Sequence, residues 1–448
     1  MKSATTDLTK GSIIKALLLF TIPIMLGNIL QQVYNIADTA IIGNLLGDTA
    51  LAAVGAAAPI YELVIGSSGG FANGLGVIVA RNFGAKQEEE LKKSIAWTYV
   101  LSLIIAILLS GVGVFGIRPL LELLGTPDNL IDYTTIYMRT IIGFYIITML
   151  YNMFAAMLRA IGNSQAPLYF LGISTVLNVG LDLVFINVFH MGVAGAAYAT
   201  GIAQMISVLC CIIFIKKKCP ILSFDGKYLK KDWKLVKELL TMGLSMALMF
   251  VVVTIGSVAL QSSVNSLGDK VIAGHSSARR IDSVFMLPIG AFSSSCATFA
   301  SQNYGAGKTG RVKKVVNASI LLCCIWSVIT IVLTYLFGET WVELLTGSTD
   351  TGVIDTAVQY IRINVLFFWA LSVLIVIRST LQGLGRKVVP LVSSTIELLA
   401  KFIAVGFVTP VLGYFGVCIL EPVIWVLCAI VVTIDYLSFS RALKRKQQ

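Results

Sequence analysis

Four polar side chains recur at helical spacing in the first long apolar stretch of the chain. Asn28, Gln31, Asn35 and Asp38 are three, four and three residues apart, so they share one face of a helix, which Tyr34 borders. A carboxylate inside an apolar stretch is costly in a membrane, which makes Asp38 a candidate functional residue. The alternative is a buried polar network that only ties helices together.

A second polar face surrounds Asp182. Asn178 and Ser174 precede it at intervals of four residues, and the next apolar stretch adds Thr200, Gln204 and Ser207 at helical spacing. Residues four apart lie on one side of a helix. The sequence therefore predicts that two further helices present polar side chains to a common region.

These two faces, together with Tyr137 at one end of another apolar stretch, supply oxygen atoms of several kinds. A hard cation such as Na+ prefers oxygen ligands, so Asp38, Asn178, Asp182 and Thr200 form a candidate Na+ site. The same acids could carry a proton instead. Two carboxylates in a poorly solvated site repel each other, which favours the uptake of a proton by one of them.

Other embedded polar groups are candidates for the lining of a cavity, because charges inside a membrane rarely face lipid. Glu62 lies near the middle of the second apolar stretch, and Arg280 with Asp282 lies in the corresponding part of the eighth. The candidate cavity-lining residues are Asn28, Gln31, Tyr34, Asn35, Glu62, Gln204, Arg280 and Asp282.

Three charged residues near the end of the chain have simpler interpretations. Glu397 and Lys401 are four residues apart, which predicts a local ion pair on one helix. Glu421 stands beside Pro422 at the start of the last apolar stretch. Packing at the beginning of a helix is the simplest account of Glu421.

The composition places all of these residues in a membrane protein. The 448 residues are 57% hydrophobic and only 13% charged, whereas about a quarter of a soluble globular protein is charged. A spanning helix needs about 20 mostly apolar residues. Twelve stretches qualify, near 13–43, 50–80, 94–117, 133–159, 166–189, 192–215, 235–263, 271–301, 315–338, 356–381, 388–411 and 414–438. The predicted fold is an all-α integral membrane protein with twelve transmembrane helices.

The chain consists of two related halves. Ala-Arg-Asn-Phe-Gly-Ala-Lys at 80–86 returns as Ser-Gln-Asn-Tyr-Gly-Ala-Gly at 301–307, an offset of 221 that drifts only to 224 in later pairs. We predict two pseudo-symmetric lobes of six helices each. The N-terminal lobe covers 1–216, a cytoplasmic connector covers 217–234, and the C-terminal lobe covers 235–448.

The acids of the first half have no counterpart in the second. At the repeat offset, Asp38 falls opposite Ala259 and Asp182 falls opposite Val405. The sequence therefore predicts a symmetric scaffold with an asymmetric charge site. Repeats that both start on the same side of the membrane are typical of transporters that work by alternating access.

Lysine and arginine cluster in the even-numbered loops, for example at 216–218 and 227–234. This bias marks the cytoplasmic side, so we expect both termini in the cytoplasm and a multi-pass protein of the plasma membrane. The net charge of +11 is accounted for by loops that face anionic lipid, and nothing indicates nucleic-acid binding.

No pattern of catalytic residues is present. The two histidines, His190 and His275, are far apart, and the chain has no metalloprotease, phosphate-loop or nucleophile-elbow motif. The energy for transport must then come from an ion gradient, since one charge that crosses 100 mV supplies about 2.3 kcal/mol. We expect a secondary transporter and not an enzyme, which acts as a monomer in the lipid bilayer on small-molecule substrates and needs no cofactor. Pro23 and Pro59 are hinge candidates.

These residues resemble a known family over essentially the whole chain, the multidrug and toxic compound extrusion (MATE) transporters. The matching positions are Pro23 and Ala37-Asp38-Thr39 in the first span, Asn178-x-x-x-Asp182, Gly192-Val193-x-Gly195-Ala196-Ala197, and Gln302-Asn303-x-Gly305-Ala306. The resemblance implies export of organic cations and other amphipathic compounds by antiport with H+ or Na+. It also implies a coupling network in the N-terminal lobe at Asp38, Asn178, Asp182, Thr200 and Tyr137.

Three alternatives are weighed on the sequence. Another branch of the family couples through acids on helices 7 and 10, but those spans carry Val251 to Val253 and Phe367 to Ala370 in their central turns. A flippase for a lipid-linked saccharide would present basic residues to a phosphate, and Arg280, Arg362 and Lys401 keep this function possible. A channel or receptor without coupling would not concentrate a solute against its gradient.

Overall fold

The computed structural model describes residues 5–346 and 350–445, and these residues form helices with no strand among them. The extreme ends of the chain, which are predicted to be cytoplasmic, lie outside the described residues. The α-helices are α1 (Ile13–Leu46), α2 (Asp48–Ala85), α3 (Glu88–Leu123), α4 (Asp128–Gly143), α5 (Tyr145–Ala160), α6 (Gln165–Asp182), α7 (Gly192–Lys218), α8 (Trp233–Asn265), α9 (Asp269–Gly305), α10 (Thr309–Thr346), α11 (Thr351–Val365), α12 (Phe368–Gly383), α13 (Val388–Ile403) and α14 (Thr409–Arg445).

Nine helical segments of the described chain are long and apolar enough to cross a membrane, and the number rises to eleven if each of two bent pairs is one span. The last segment, Val388–Ala442, has 55 residues, more than twice the roughly 20 that one span needs. Gly413 breaks it with φ 57° and ψ −140°, which divides it into two spans. The all-α membrane architecture with twelve predicted spans is confirmed.

Two of the predicted spans are bent. The fourth is divided into α4 and α5, which meet at 47°, and the tenth is divided into α11 and α12, which meet at 56°. The breaks fall at Phe144 and at Leu366–Phe367, which are equivalent positions at the repeat offset. Pro23 and Pro59 lie within the continuous helices α1 and α2, so their role as hinges stays a prediction.

The connections between helices use glycine where the backbone needs a positive φ. Gly162 and Gly385, which are repeat equivalents, have φ values of 84° and 82°, a region that favours glycine over residues with a Cβ atom. A Cβ on Gly162 would lie 2.1 Å from the carbonyl oxygen of Thr6. The N-terminal segment therefore packs on this turn only because residue 162 has no side chain.

The structure divides into two compact units. The first comprises the described residues within Met1–Leu8 and Ile22–Ala247, and the second comprises those within Thr9–Thr21 and Leu248–Gln448. The predicted lobe boundaries at 216 and 235 stay a prediction. Large apolar side chains are exposed on each unit, for example Phe115 (82%) and Val411 (80%), as expected for surfaces that contact lipid.

Within the first unit, α2 approaches the start of α8 very closely. A Cβ on Gly74 would lie 2.6 Å from the Cα of Gly243, and one on Gly70 would lie 2.9 Å from the carbonyl oxygen of Met246. Such contacts through small residues are a common way for helices to pack in membranes. These contacts fix α2 against α8, and α2 also contributes residues to the candidate functional site.

Candidate functional site

The first unit contains a cavity of about 170 Å³ that joins parts of α1, α2, α4 and α7. Most of the lining side chains are polar and none of the described lining residues is basic. They are Tyr34, Asn35, Asp38, Thr39, Val54, Ala58, Tyr61, Glu62, Tyr137 and Thr200.

Two carboxyl groups meet beside this cavity, and only Asp38 belongs to its lining. Asp38 of α1 is 8% exposed and Asp182 of α6 is fully buried, and the two groups are within hydrogen-bonding reach of each other. The Oδ1 atom of each accepts no hydrogen bond from an amide or hydroxyl among the described residues. Buried acceptors without a donor are costly, so this pair is well suited to bind a proton or a small cation.

Amide and hydroxyl groups connect the acids to α7. With its side-chain amide oriented to satisfy both neighbours, Asn178 donates to Asp182 Oδ2 over 3.1 Å and accepts from the backbone N–H of Thr200 over 3.2 Å. The Thr200 hydroxyl lies 2.9 Å from the hydroxyl of Tyr34. The network therefore links α1, α6 and α7 through four polar side chains.

Phenol groups complete the wall of the site. Tyr137 is 6% exposed and lies on α4, less than two turns before the break at Phe144. Tyr61 of α2 lines the cavity beside Glu62, and the side chain of Glu62 is exposed. Tyr61 was missed in the sequence because one phenol in an apolar helix gives little signal. Its spacing of three from Ala58 and seven from Val54, which share the same wall, is the pattern that could have identified it.

The backbone around Asp182 is irregular. Asp182 is the last residue of α6, and Leu183–Val188 continue as a π-helix. The wider turn is seen in the hydrogen bond from the N–H of Phe189 to the carbonyl of Val184, over 3.0 Å. Such π-helical turns are rare and are frequent at functional sites. In the second unit, Ala404–Val408 form a π-helix directly after α13.

Some residues that were predicted to share the site lie outside the cavity. Gln31 is exposed and Asn28 is half-buried on α1, and neither lines the cavity. Gln204 accepts a hydrogen bond of 2.6 Å from Thr148, and Ser207 donates to the carbonyl of Phe170. Of the polar row on α7, only Thr200 reaches the cavity.

Arg280 and Asp282, which were predicted as cavity-lining residues, belong to the second unit. The side chain of Arg280 is exposed, whereas Asp282 is 1% exposed. The described basic group nearest to Asp282 is Arg279, whose Nη1 lies 3.7 Å from Asp282 Oδ2. Their role in a cavity stays a prediction, and the sequence did not single out Arg279.

The predicted ion pair of Glu397 and Lys401 is present, with 3.2 Å between Oε1 and Nζ. Lys401 also contacts Glu421 over 3.4 Å. Glu421 is 5% exposed and lies well inside α14. The interpretation of Glu421 as packing at a helix start was therefore wrong, because α14 begins earlier in the structure and the acid has a buried partner.

The arrangement in the first unit offers carboxylate, amide, hydroxyl and phenol oxygens, which are groups of the kind that suit Na+ or a proton. No group of three or more histidine, cysteine or acidic side chains that could hold a metal ion occurs in the described part of the chain.

Comparison with known proteins places this geometry in context. A family model described as MatE matches residues 23–184 and again 245–406. The chain is 32% identical over 393 residues to the probable multidrug resistance protein YpnP of Bacillus subtilis, with 87% of each chain covered. It is 28% identical to the probable multidrug resistance protein YoeA of the same organism, with 90% of this chain and 88% of the other covered. A solved structure described as MATE in complex with MaL6 is 23% identical, covers 99% of this chain and all of its own, and has a TM-score of 0.91.

Proposed function

The chain belongs to the MatE family, and on that premise we propose that it is a secondary active multidrug efflux transporter. It exports organic cations and other amphipathic compounds through the plasma membrane by alternating access, in exchange for H+ or Na+. The names of its two Bacillus subtilis relatives support the substrate class. We further propose that it acts as a monomer with both termini in the cytoplasm.

The coupling ion binds in the first unit, at Asp38 and Asp182, with Asn178, Thr200 and Tyr137 as supporting groups. The observation that carries this proposal is the contact of two buried carboxyl groups, each with one oxygen that lacks a described amide or hydroxyl donor. A bound Na+ or proton would remove the repulsion between them.

Ion binding has a direct route to the conformation of α1. Asp38 and Tyr34 are both on α1, while their partners Asp182 and Thr200 are on α6 and α7. Neutralisation of the acid pair draws these helices together, and loss of the ion separates them. Pro23, within the same helix, is the position where we propose that α1 bends.

The substrate and the coupling ion then act on the same conformational equilibrium. A ligand shifts an equilibrium only by its differential affinity for the two states. An ion with one positive charge that moves across 100 mV supplies about 2.3 kcal/mol, enough for a roughly 50-fold gradient of an uncharged exported compound. Exchange of one such ion for one organic cation moves no net charge, so the concentration gradient of the ion drives that exchange.

A flippase for lipid-linked saccharide is the less favoured function. Such a protein needs basic groups to bind a phosphate, whereas the described lining of the cavity contains Glu62 and Asp38 and no basic residue. The relatives reported above are named for multidrug resistance.

The test is transport by the purified protein in liposomes. A fluorescent organic cation is followed under a pH gradient alone and then under a Na+ gradient alone. We expect accumulation against the substrate gradient under one of them, which identifies the coupling ion. Absence of accumulation under both, in vesicles where the protein is folded and correctly inserted, would contradict the proposed antiport.

A further inference from the structure

The second unit contains a row of charged side chains whose signs alternate, and all of them are buried except Arg279, whose side chain is 38% exposed. It is formed by α9, α12, α13 and α14, and consecutive members are 3.2 to 3.7 Å apart. In order, the members are Asp282, Arg279, Glu421, Lys401, Glu397 and Arg378. With three acids and three bases, the row is neutral as a whole.

Lys401 is the centre of this row. Its ammonium lies 3.2 Å from Glu397 Oε1 and 3.4 Å from Glu421 Oε1, and it also donates to Ser257 Oγ of α8 over 3.4 Å. The residue is 2% exposed. Two buried carboxylates from different helices thus share one covalently attached cation.

The two arginines of the row contact the remaining carboxylate oxygens of the glutamates. Arg378 Nη2 lies 3.5 Å from the second oxygen of Glu397, and Arg279 Nη1 lies 3.6 Å from the second oxygen of Glu421. Arg279 also donates to the hydroxyl of Tyr360 over 3.3 Å. Each glutamate therefore contacts two bases, which offsets the cost of placing its charge away from water.

Two members of the row are repeat equivalents of residues at the candidate site of the first unit. α6 and α13 begin at Gln165 and Val388, an offset of 223, and at this offset Lys401 replaces Asn178. The same offset relates Tyr360 to Tyr137. The offset of 221 that relates α2 to α9 places Asp282 opposite Tyr61, which lines the cavity of the first unit.

We propose that Lys401 is a built-in substitute for the coupling ion, so that the second unit keeps a permanently occupied cation site and only the first unit exchanges its ion. The proposal rests on the proposed function only in treating the first unit as the exchanging site. It assigns one exchangeable cation to each chain. It also explains why the acids of one half are absent from equivalent positions in the other. An exchangeable cation balances the acids of the first unit, whereas Lys401 balances those of the second.

The substitution Lys401→Met tests this directly. Methionine retains a long unbranched side chain but leaves the row one positive charge short. The row would then hold three acids and two bases, and an uncompensated charge away from water is strongly disfavoured, so one of its carboxylates should take up a proton or bind an external cation. Lys401→Arg is the matched control, because it keeps the charge.

The measurement is made on the purified full-length chain with Asp38→Asn, which removes the exchangeable site of the first unit. Binding of ²²Na+ and release or uptake of protons are measured per chain. We expect no binding by the Asp38→Asn parent or by its Lys401→Arg form, and the gain of one cation or proton per chain in its Lys401→Met form. A folded Lys401→Met form with no gain would overturn the proposal.

A second measurement needs no change at Lys401 and decides the matter if that variant does not fold. The chain with both Asp38→Asn and Asp182→Asn should bind no cation and exchange no proton in the pH range of transport. Residual binding of one ion would place an exchangeable site in the second unit, for instance at Asp282, whose carboxylate oxygens accept no hydrogen bond from the described residues. That result would overturn the role of Lys401.

Failure of the proposed function gives a different pattern. If the unsubstituted chain binds no ion at all, coupling at Asp38 and Asp182 is wrong, while a gain in the Lys401→Met form would still support the built-in cation.

Discussion

The carboxyl groups of Asp38 and Asp182 lie within hydrogen-bonding reach of each other, although one is on α1 and the other at the end of α6. Neither has a basic partner among the described residues that line the cavity. Their contact is stable only with a proton or a cation between or beside them. This relationship is the structural basis of the proposed coupling.

Replacement of Asp182 by asparagine removes one of the two charges and leaves the side-chain shape. We expect the affinity for the coupling ion to fall at least about tenfold, equivalent to about 1.4 kcal/mol. Asp128→Asn is the control, because Asp128 is exposed in the first turn of α4 and does not line the cavity. Equal ion affinities for the two variants would argue against a role of Asp182 in binding.

The hydroxyl of Thr200 is expected to matter more than its methyl group. Thr200→Val keeps the shape but removes the hydrogen bond with Tyr34. A neutral hydrogen bond contributes about 1 kcal/mol, so the ion affinity should fall roughly fivefold. Thr200→Ser should restore most of it. If serine behaves like valine in ion-binding measurements, packing of the methyl group is the important property.

Gly74 should tolerate no side chain. A Cβ there would lie 2.6 Å from the Cα of Gly243, whereas a Cβ on Gly69 of the same helix would have no neighbour within 4 Å. Overpacking of this kind costs about 1–3 kcal/mol. Thermal unfolding in detergent should therefore occur several degrees lower for Gly74→Ala than for Gly69→Ala. Equal unfolding temperatures would show that the two helices can separate without cost.

Gly201 should be needed for the bend between α4 and α5. A Cβ on Gly201 would lie 2.2 Å from the ring of Phe144, the residue at the break. Gly201→Ala should displace that ring, move Tyr137 and Thr200 apart, and lower both stability and ion affinity. Gly143→Ala, next to the break but with no neighbour within 4 Å, is the control. Unchanged ion binding in Gly201→Ala would separate the bend from the site.

Much of the fold follows from local properties of the sequence. The length of the apolar stretches determines the spans, and the repeat relates glycines such as Gly162 and Gly385 at equivalent turns. The bends at Phe144 and Leu366–Phe367 were not predicted. They depend on tertiary packing, because neither place has a proline that would reveal a break in the sequence.

Only part of the site could be predicted, because contacts between helices also depend on tertiary packing. Spacing on one helix brings Asn178 next to Asp182, as observed. Spacing cannot show which side of a helix meets another helix, so Gln31 and Gln204 were grouped with residues from which the structure separates them. The sequence correctly predicted that Lys401 pairs with Glu397 on its own helix. Its second partner, Glu421, lies on α14, and this contact arises only from tertiary structure.

The most direct test of the account compares two modes of transport in liposomes that contain Asp38→Asn. Exchange of labelled for unlabelled substrate needs only alternating access, whereas accumulation against a gradient also needs ion coupling. We predict that the variant retains exchange and loses accumulation driven by H+ or Na+. Accumulation as high as that of the unsubstituted protein would contradict the assignment of coupling to Asp38 and Asp182.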